Sequence, residues 1–196
     1  MKKTKGEQPG KISLIGTHGV GKTVLTFSIA SRLRSMGLDC DVAYENSRKS
    51  PFPINEATTL EGQLWILAAQ WKEELEAGLR TKLIICDRSV LDNYAYLVRA
   101  CGRQEWLHGW IARWMESYDV LFHVPMQRGR IAGDRARATS KSFQKRIQEI
   151  IDELVREFGA EKKIVRLPEP RAGQMGAIMN ELRRRGIVEG AQGELM

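Results

Sequence analysis

Residues 16–23 read Gly-Thr-His-Gly-Val-Gly-Lys-Thr and fit the pattern G-x-x-x-x-G-K-[ST] at every fixed position. The apolar run at residues 11–15 predicts a short buried strand before this stretch, and apolar residues recur at helical spacing from Val24 to Leu33 after it. Strand, glycine-rich loop and helix, in this order, are the context in which the pattern binds phosphate. The stretch is therefore predicted to be a phosphate-binding loop rather than a plain helix-capping turn.

Each residue type in the loop has a physical role. Glycines at 16, 19 and 21 allow backbone turns that a Cβ would forbid, and they let N–H groups approach phosphate oxygens. Lys22 is expected to reach the terminal phosphates, and the Thr23 hydroxyl to ligate Mg²⁺, which prefers oxygen ligands. The predicted ATP-binding residues are Gly16, Thr17, His18, Gly19, Val20, Gly21, Lys22, Thr23 and Val24.

The composition indicates one domain without a disulfide framework. The 196 residues suffice for a core, and we expect a flexible basic tail at 1–10, one domain at 11–188 and a frayed tail at 189–196. Cys40, Cys86 and Cys101 are scattered, which is typical of reduced, buried thiols in a cytoplasmic protein. No stretch has the apolar length of a membrane span, and the histidines lack zinc-site spacing.

The positive charge is concentrated in one stretch. The formal net charge is +7, and residues 127–146 hold seven basic residues against one acid, 7 − 1 = +6. This excess suits an anionic ligand, although a charged surface loop would show the same composition. We expect an arginine-rich lid at about residues 126–142.

Strands alternate with helices along the chain, which predicts a parallel sheet covered on both faces. Strands are expected at 11–15, 41–44, 82–87, 119–124 and 163–167, and prolines at 51 and 53 predict an irregular loop. Thr58 and Glu61 are spaced as a capping box, and Ser89 with Asp92 predicts another helix start. Trp106, Trp110 and Trp114 share one helical face, which we expect in the core.

Two strands end in acidic residues. The apolar run 83–86 leads to Asp87, which would hold Mg²⁺ or its waters, and to Arg88, which would point to the phosphates. The strand at 41–44 leads to Glu45 and a basic loop with Arg48, where an open α/β sheet binds ligands. Glu45 could equally be a solvated strand end paired with Arg48.

With these motifs in view, the chain resembles P-loop kinases of the nucleoside and nucleotide kinase group. Glu45 and Asp87-Arg88-Ser89 resemble the acceptor carboxylate and the Asp/Glu-Arg-Ser motif of deoxynucleoside kinases. The order of Glu45, Asp87-Arg88 and lid is also similar to thymidylate kinases and the ribosylnicotinamide kinase domain, and residues 51–65 and 86–96 resemble small AAA-type ATPases with a kinase-like fold.

The resemblance implies a three-layer fold with a five-stranded parallel sheet in the order 2-3-1-4-5. It also implies that Lys22, Asp87, Arg88 and lid arginines act in catalysis, that Glu45 orients the acceptor, and that Arg48 or Arg88 pairs with an acceptor phosphate. Arg128 and Arg135 are the lid candidates, and Arg130 and Arg137 stay open beside them. The loop at 168–171 would grip the base.

These features are compatible with three functions. The first is ATP- and Mg²⁺-dependent phosphoryl transfer to a nucleoside- or nucleotide-like small molecule. The second is a kinase acting on a nucleic acid end or a modified base, against which stands the scarcity of aromatic residues in the basic stretch. The third is an ATPase or nucleotide switch acting on a protein partner. A homodimer is possible, but the sequence does not determine the oligomeric state.

Overall fold

The computed structural model describes residues 9–126 and 141–188. Its strands are β1 (Gly10–Ile15), β2 (Cys40–Ala43), β3 (Leu83–Asp87), β4 (Val120–His123) and β5 (Ile164–Arg166). Its helices are α1 (Lys22–Ser35), α2 (Leu60–Arg80), α3 (Val90–Cys101), α4 (Glu105–Met115), α5 (Lys141–Glu157) and α6 (Arg171–Arg184). The strands form one parallel sheet in the order β2-β3-β1-β4-β5, which confirms the predicted fold.

Alternating side chains of the strands pack into two separate hydrophobic cores, one on each face of the sheet. In β3, Ile84 and Cys86 pack with α2, α3, α4 and α5, whereas Leu83 and Ile85 pack with α1 and α6 on the opposite face. These apolar side chains hold helices on both faces of the sheet. The strands are largely apolar because both faces are covered. The carboxyl ends of the strands lie together at one edge, where ligands bind in open α/β sheets.

The prediction that the α4 tryptophans form the core is wrong. Trp106 and Trp110 are 60% and 67% exposed, and only Trp114 is partly covered. The buried stripe of α4 consists instead of Leu107, Ile111 and Met115, which have the same i, i+4, i+8 spacing. Periodicity identified an apolar helix here, but it could not decide which of two adjacent apolar stripes faces inward.

Two local predictions also need correction. Helix α2 is capped by Thr59, whose Oγ1 accepts from the Gly62 N–H, and not by Thr58. The region after Glu45 is not wholly irregular, because short 3₁₀ helices occupy Ser47–Lys49 and Asn55–Ala57. The capping box of Ser89 with Asp92 at the start of α3 is confirmed.

A buried ion pair ties the first strand to α2 and α4. The Lys11 ammonium lies 2.9 Å from the Glu74 carboxylate, whose side chain is completely buried. The carboxylate also accepts from Tyr118 Oη at 2.6 Å, Trp114 Nε1 at 2.7 Å and Gln70 Nε2 at 2.9 Å. A buried charge is tolerated only with partners of this kind, so Glu74 is a structural residue at the edge of the sheet away from the phosphate-binding loop.

Glu74→Gln is expected to lower the free energy of unfolding by about 3 kcal/mol, because the Lys11 ammonium would stay buried without its counter-charge. Urea unfolding of the two proteins measures the difference. The matched control is Glu76→Gln, which removes the exposed partner of Lys72 on the same helix and should cost less than about 0.5 kcal/mol. Equal losses in the two variants would contradict this account.

Candidate active site

The phosphate-binding loop joins β1 to α1 with a geometry that requires glycine at two positions. Gly16 has φ +135°, and a Cβ there would lie 2.7 Å from the Val124 carbonyl oxygen. Gly21 has φ +93°, and a Cβ there would lie 2.7 Å from a guanidinium nitrogen of Arg171. The loop therefore lies against β4 on one side and the start of α6 on the other, and the segment at 168–171 does reach it.

Lys22 is buried at the centre of this loop. Its Nζ donates to the carbonyl oxygens of Gly16 and Thr17, both at 2.6 Å. Burial, and after it the charge of Arg88, lowers the pKa of Lys22 to about 7. A polyphosphate beside Nζ would offset this penalty, because an adjacent negative charge favours the ammonium form.

Thr23 and Asp87 present oxygen donors next to Lys22. Thr23 is exposed in the first turn of α1, and its hydroxyl lies next to the Asp87 carboxylate at the end of β3. Burial raises the pKa of Asp87, although the Thr23 hydroxyl and the charges of Lys22 and Arg88 oppose the shift. One hydroxyl and one carboxylate fit Mg²⁺, which keeps several waters and takes phosphate oxygens as further ligands.

The described part of the chain contains no cluster of three or more His, Cys, Asp or Glu side chains that could hold a metal by themselves.

Asp92 connects the loop to α3. Its Oδ1 accepts from the Gly16 N–H at 2.7 Å, and its Oδ2 accepts from the N–H and the hydroxyl of Ser89 at 3.0 and 2.9 Å. The spacing of Ser89 and Asp92 in the sequence predicts only a helix-capping role for Asp92. Its second role depends on a contact between residues 76 positions apart, which no local pattern reveals.

Glu45 and Arg88 face each other beside a small recess. The Glu45 Oε1 and the Arg88 Nε lie 3.6 Å apart, and both side chains are less than 10% exposed. Burial lowers the pKa of Arg88, but Tyr96 and Glu45 outweigh that effect and hold this pKa above its ordinary value. Arg88 adopts φ +86°, and its carbonyl accepts from Gln70 at 3.2 Å, so α2 holds this uncommon conformation.

Tyr96 is a site residue that the sequence analysis missed. Its Oη accepts from the His18 N–H at 3.1 Å and lies 3.0 Å from the His18 Nδ1. The Arg88 guanidinium lies over the same ring, 5.1 Å from its centre. One tyrosine therefore joins the phosphate-binding loop to the Glu45–Arg88 pair.

Helix α5, which packs beside α3, also contacts the loop. Gln144 Nε2 donates to the His18 carbonyl at 2.8 Å, and the Phe143 ring lies 5.8 Å from the His18 ring. His18, an unconstrained position of the motif, is thus held by both α3 and α5.

The predicted site residues do not all come together. Lys22, Thr23, Glu45, Asp87 and Arg88 share one edge of the sheet, whereas Arg48 is exposed and does not line the recess. Val24 is also exposed, at 66%, while Thr17, His18 and Val20 are buried. The lid candidates Arg128, Arg130, Arg135 and Arg137 lie outside the described residues.

Residues 11–170 match a protein-family model described as an AAA domain. The chain belongs to this AAA domain family. The match runs from the first strand to the residue before α6, so it includes the phosphate-binding loop, Glu45 and the Asp87-Arg88-Ser89 turn. No curated protein matches the chain.

Solved structures show which fold this AAA domain has. A NadR protein in complex with NR is similar with TM-score 0.73 and 14% identity, over 94% of this chain and 53% of that one. Deoxyadenosine kinase from M. mycoides with bound dATP is similar with TM-score 0.64 and 16% identity, over 89% of this chain and 99% of that one. Thymidylate kinase from Candida albicans is similar with TM-score 0.66 and 14% identity, over 92% of this chain and 93% of that one. The AAA domain has the fold of P-loop nucleoside and nucleotide kinases, and it spans about half the length of NadR.

No helix in the described ranges combines the length and apolarity that crossing a membrane requires.

Binding of ATP at pH 8 is expected to take up close to one proton, roughly 0.9, because a lysine with a pKa of about 7 is mostly neutral there and the triphosphate restores its charge. Calorimetric titrations in two buffers of different ionisation enthalpy measure this uptake. Lys22→Arg, which stays charged, should abolish it, while the exposed Lys72→Arg should not. Identical uptake by the wild type and Lys22→Arg would contradict the assignment.

Tyr96→Phe is expected to weaken ATP binding by about 10-fold, because the buried N–H of His18 loses its acceptor at a cost of about 1–3 kcal/mol. A matched control is Tyr94→Phe, which removes a hydroxyl that accepts from the Gln104 N–H on the far side of the same helix. It should destabilise the fold similarly and leave ATP affinity unchanged. Equal effects of both changes on ATP affinity would show that Tyr96 acts only through stability.

Proposed function

We propose that this AAA domain transfers a phosphoryl group from ATP·Mg²⁺ to a nucleoside- or nucleotide-like small molecule. The observation that carries the proposal is the buried Glu45–Arg88 pair, which lines a recess and is joined through Tyr96 to the phosphate-binding loop. A simple ATPase has no need for a second polar recess beside its phosphate site, whereas a kinase must place an acceptor there.

The roles follow from the positions of the residues. The loop amides and Lys22 bind the phosphates, and Thr23 and Asp87 would hold Mg²⁺, which neutralises charge on the phosphate oxygens. Glu45 orients the acceptor hydroxyl or takes its proton, and Arg88 pairs with a phosphate of the acceptor or of ATP. Positioning and charge stabilisation supply most of the rate in such transfers, so few groups need covalent chemistry.

We also propose a catalytic role for the arginine-rich lid. Arg128 and Arg135 would close over the transferring group and exclude water, and an arginine in this role is worth roughly 10³–10⁵ in rate. Arg48, which is exposed in the loop after β2, would pair with a phosphate on the acceptor.

The recess must open to admit a nucleoside. Its volume is about 30 Å³, which leaves room for only one or two water molecules. One wall comes from Ile54 and Asn55, which belong to a segment of short 3₁₀ turns, and the other from α2 and α3. We therefore expect the recess to open by movement of the segment between Glu45 and α2, because this segment is the thinner wall.

The recess also offers amide groups to a nucleobase. Gln63 and Asn93 line it, and Gln63 Nε2 donates to the Thr58 hydroxyl at 2.8 Å. The Gln63 Oε1 is buried with no hydrogen-bond partner among the described residues, so it would gain one from a donor on the acceptor.

One observation favours the second candidate, a nucleic acid end as the acceptor. Phe27 and Tyr44 are 47% and 44% exposed, and their rings lie 5.9 Å apart next to Glu45. Such a pair could stack on a base beyond the reacting nucleotide, with Arg48 and Lys49 exposed nearby. These two aromatic residues lie outside the basic stretch at residues 127–146.

The test is to incubate the protein with ATP and Mg²⁺ and each of a panel of nucleosides, nucleoside monophosphates, ribosylnicotinamide and short DNA and RNA oligomers. ADP and phosphorylated product are recorded. A phosphorylated small molecule supports the proposal, a labelled oligomer supports the second candidate, and ADP formation that no acceptor changes would contradict both and point to an ATPase switch.

Glu45→Gln should retain ATP affinity and lose at least about 100-fold of the acceptor-dependent rate, because an amide cannot take the proton of the acceptor hydroxyl. Glu56→Gln, an exposed carboxylate beyond the recess, is the control and should keep the wild-type rate. Near wild-type turnover by Glu45→Gln would make Glu45 a structural partner of Arg88.

A further inference from the structure

Four exposed apolar side chains lie on α2 and α4, and we call them the aromatic surface. They are Leu75 and Leu79 on α2, 59% and 89% exposed, and Trp106 and Trp110 on α4, 60% and 67% exposed. Their spacing is i, i+4 on each helix, so each pair forms one stripe. Scattered single apolar residues are normal on a protein surface, but two adjoining stripes with two tryptophans are not.

The two stripes are joined by a groove. The Trp71 ring lies 6.2 Å from that of Trp110 and 6.0 Å from that of Trp114, so aromatic rings bridge α2 and α4. Beside them a groove of about 620 Å³ runs between the carboxyl ends of the two helices, with Leu75, Leu79 and Trp114 among its walls. The aromatic surface thus contains both a recess and protruding indoles, as a surface that pairs with itself requires.

The exposed apolar area matches that of a dimer interface. With about 250 Å² for a tryptophan side chain, the exposed parts of Trp106 and Trp110 amount to roughly 300 Å². Leu75 and Leu79 raise the total to on the order of 500 Å², near the upper limit for a monomer surface. An interface of about 800 Å² per partner that is roughly 60–65% apolar needs the same area.

The charges around the aromatic surface suit a second copy of a basic protein. The chain carries +7, which would oppose self-association through most of its surface. From Trp71 to the end of α2 and along α4, however, the charged side chains that are not buried are balanced, with Lys72, Arg80 and Arg113 against Glu73, Glu76 and Glu105. Lys72 is paired with Glu76 and Arg80 with Asp41 of β2, so this face adds little net charge that would repel a second copy.

We propose that the aromatic surface is the interface of a homodimer, in which α2 and α4 of one copy pack on α2 and α4 of the other. The other candidate for the groove within this chain is the segment 1–8, which leads to Pro9 at the groove edge. That segment carries Lys2, Lys3 and Lys5 and no large apolar residue beyond Met1. Its charges could meet Glu116 at the groove, but it supplies nothing to cover the exposed leucines and indoles of the aromatic surface.

The experiment is light scattering coupled to size-exclusion chromatography, with sedimentation velocity over about 1–100 µM, where a micromolar or tighter dimer is populated. The wild type should have twice the 22.2 kDa mass of one chain. Trp110→Lys and, independently, Leu79→Lys should weaken association at least roughly 100-fold, because symmetry places each change twice in the interface. Both positions are exposed, so circular dichroism should show an intact fold.

The matched control is Phe27→Lys, an equally drastic change of an exposed aromatic residue on α1, which should leave the dimer intact. A monomeric wild type at 100 µM would overturn the proposal, as would a dimer that both Trp110→Lys and Leu79→Lys leave unchanged. A wild-type monomer that dimerises only after removal of residues 1–8 would assign the groove to that segment and overturn it as well. None of these outcomes depends on kinase activity.

Discussion

The parallel pairing of β1 with β3, in which Leu14 lies opposite Asp87, is the constraint on which the site depends. Because the two strands end together, the phosphate-binding loop and the Asp87-Arg88-Ser89 turn emerge side by side, and Asp87 reaches Thr23. The pairing of β3 with β2 brings Glu45 to the same edge. Chemistry-bearing residues that are distant in the sequence therefore meet only because apolar strands pack in this order between two helical layers.

Buried polar contacts then fix the site more tightly than packing alone would. Asp92 holds the entrance of the loop, Tyr96 holds its middle, and Gln70 holds the backbone of Arg88. Each of these groups is buried and paired, so displacing one leaves another without a partner, which is costly in a low-dielectric interior. The loop and the acceptor recess are consequently two parts of one connected network, and a change in either affects the other through Tyr96.

The sequence was sufficient for features that local patterns encode. The loop, the strand ending at Asp87 and the capping box of Ser89 with Asp92 follow from spacing, and the strand order followed from the resemblance. It was insufficient where tertiary contacts decide. Trp110 and Ile111 are equally apolar neighbours, and only the position of α3 shows that Ile111 is buried and Trp110 is not. Tyr96 and Arg171 reach the loop across long sequence separations, so no motif includes them.

The two halves of helix α2 contribute to the two proposed sites, the acceptor recess and the dimer interface. Gln63 and Ile66, near its start, line the acceptor recess, whereas Leu75 and Leu79, near its end, belong to the aromatic surface. Between them Gln70 and Glu74 fix the helix to Arg88 and to the buried Lys11. A dimer contact on the second half would therefore immobilise the whole helix as one wall of the recess. The segment between Glu45 and α2 would then be the part that moves to admit an acceptor to the recess. Its short 3₁₀ turns and exposed prolines make few buried contacts that such a movement would break.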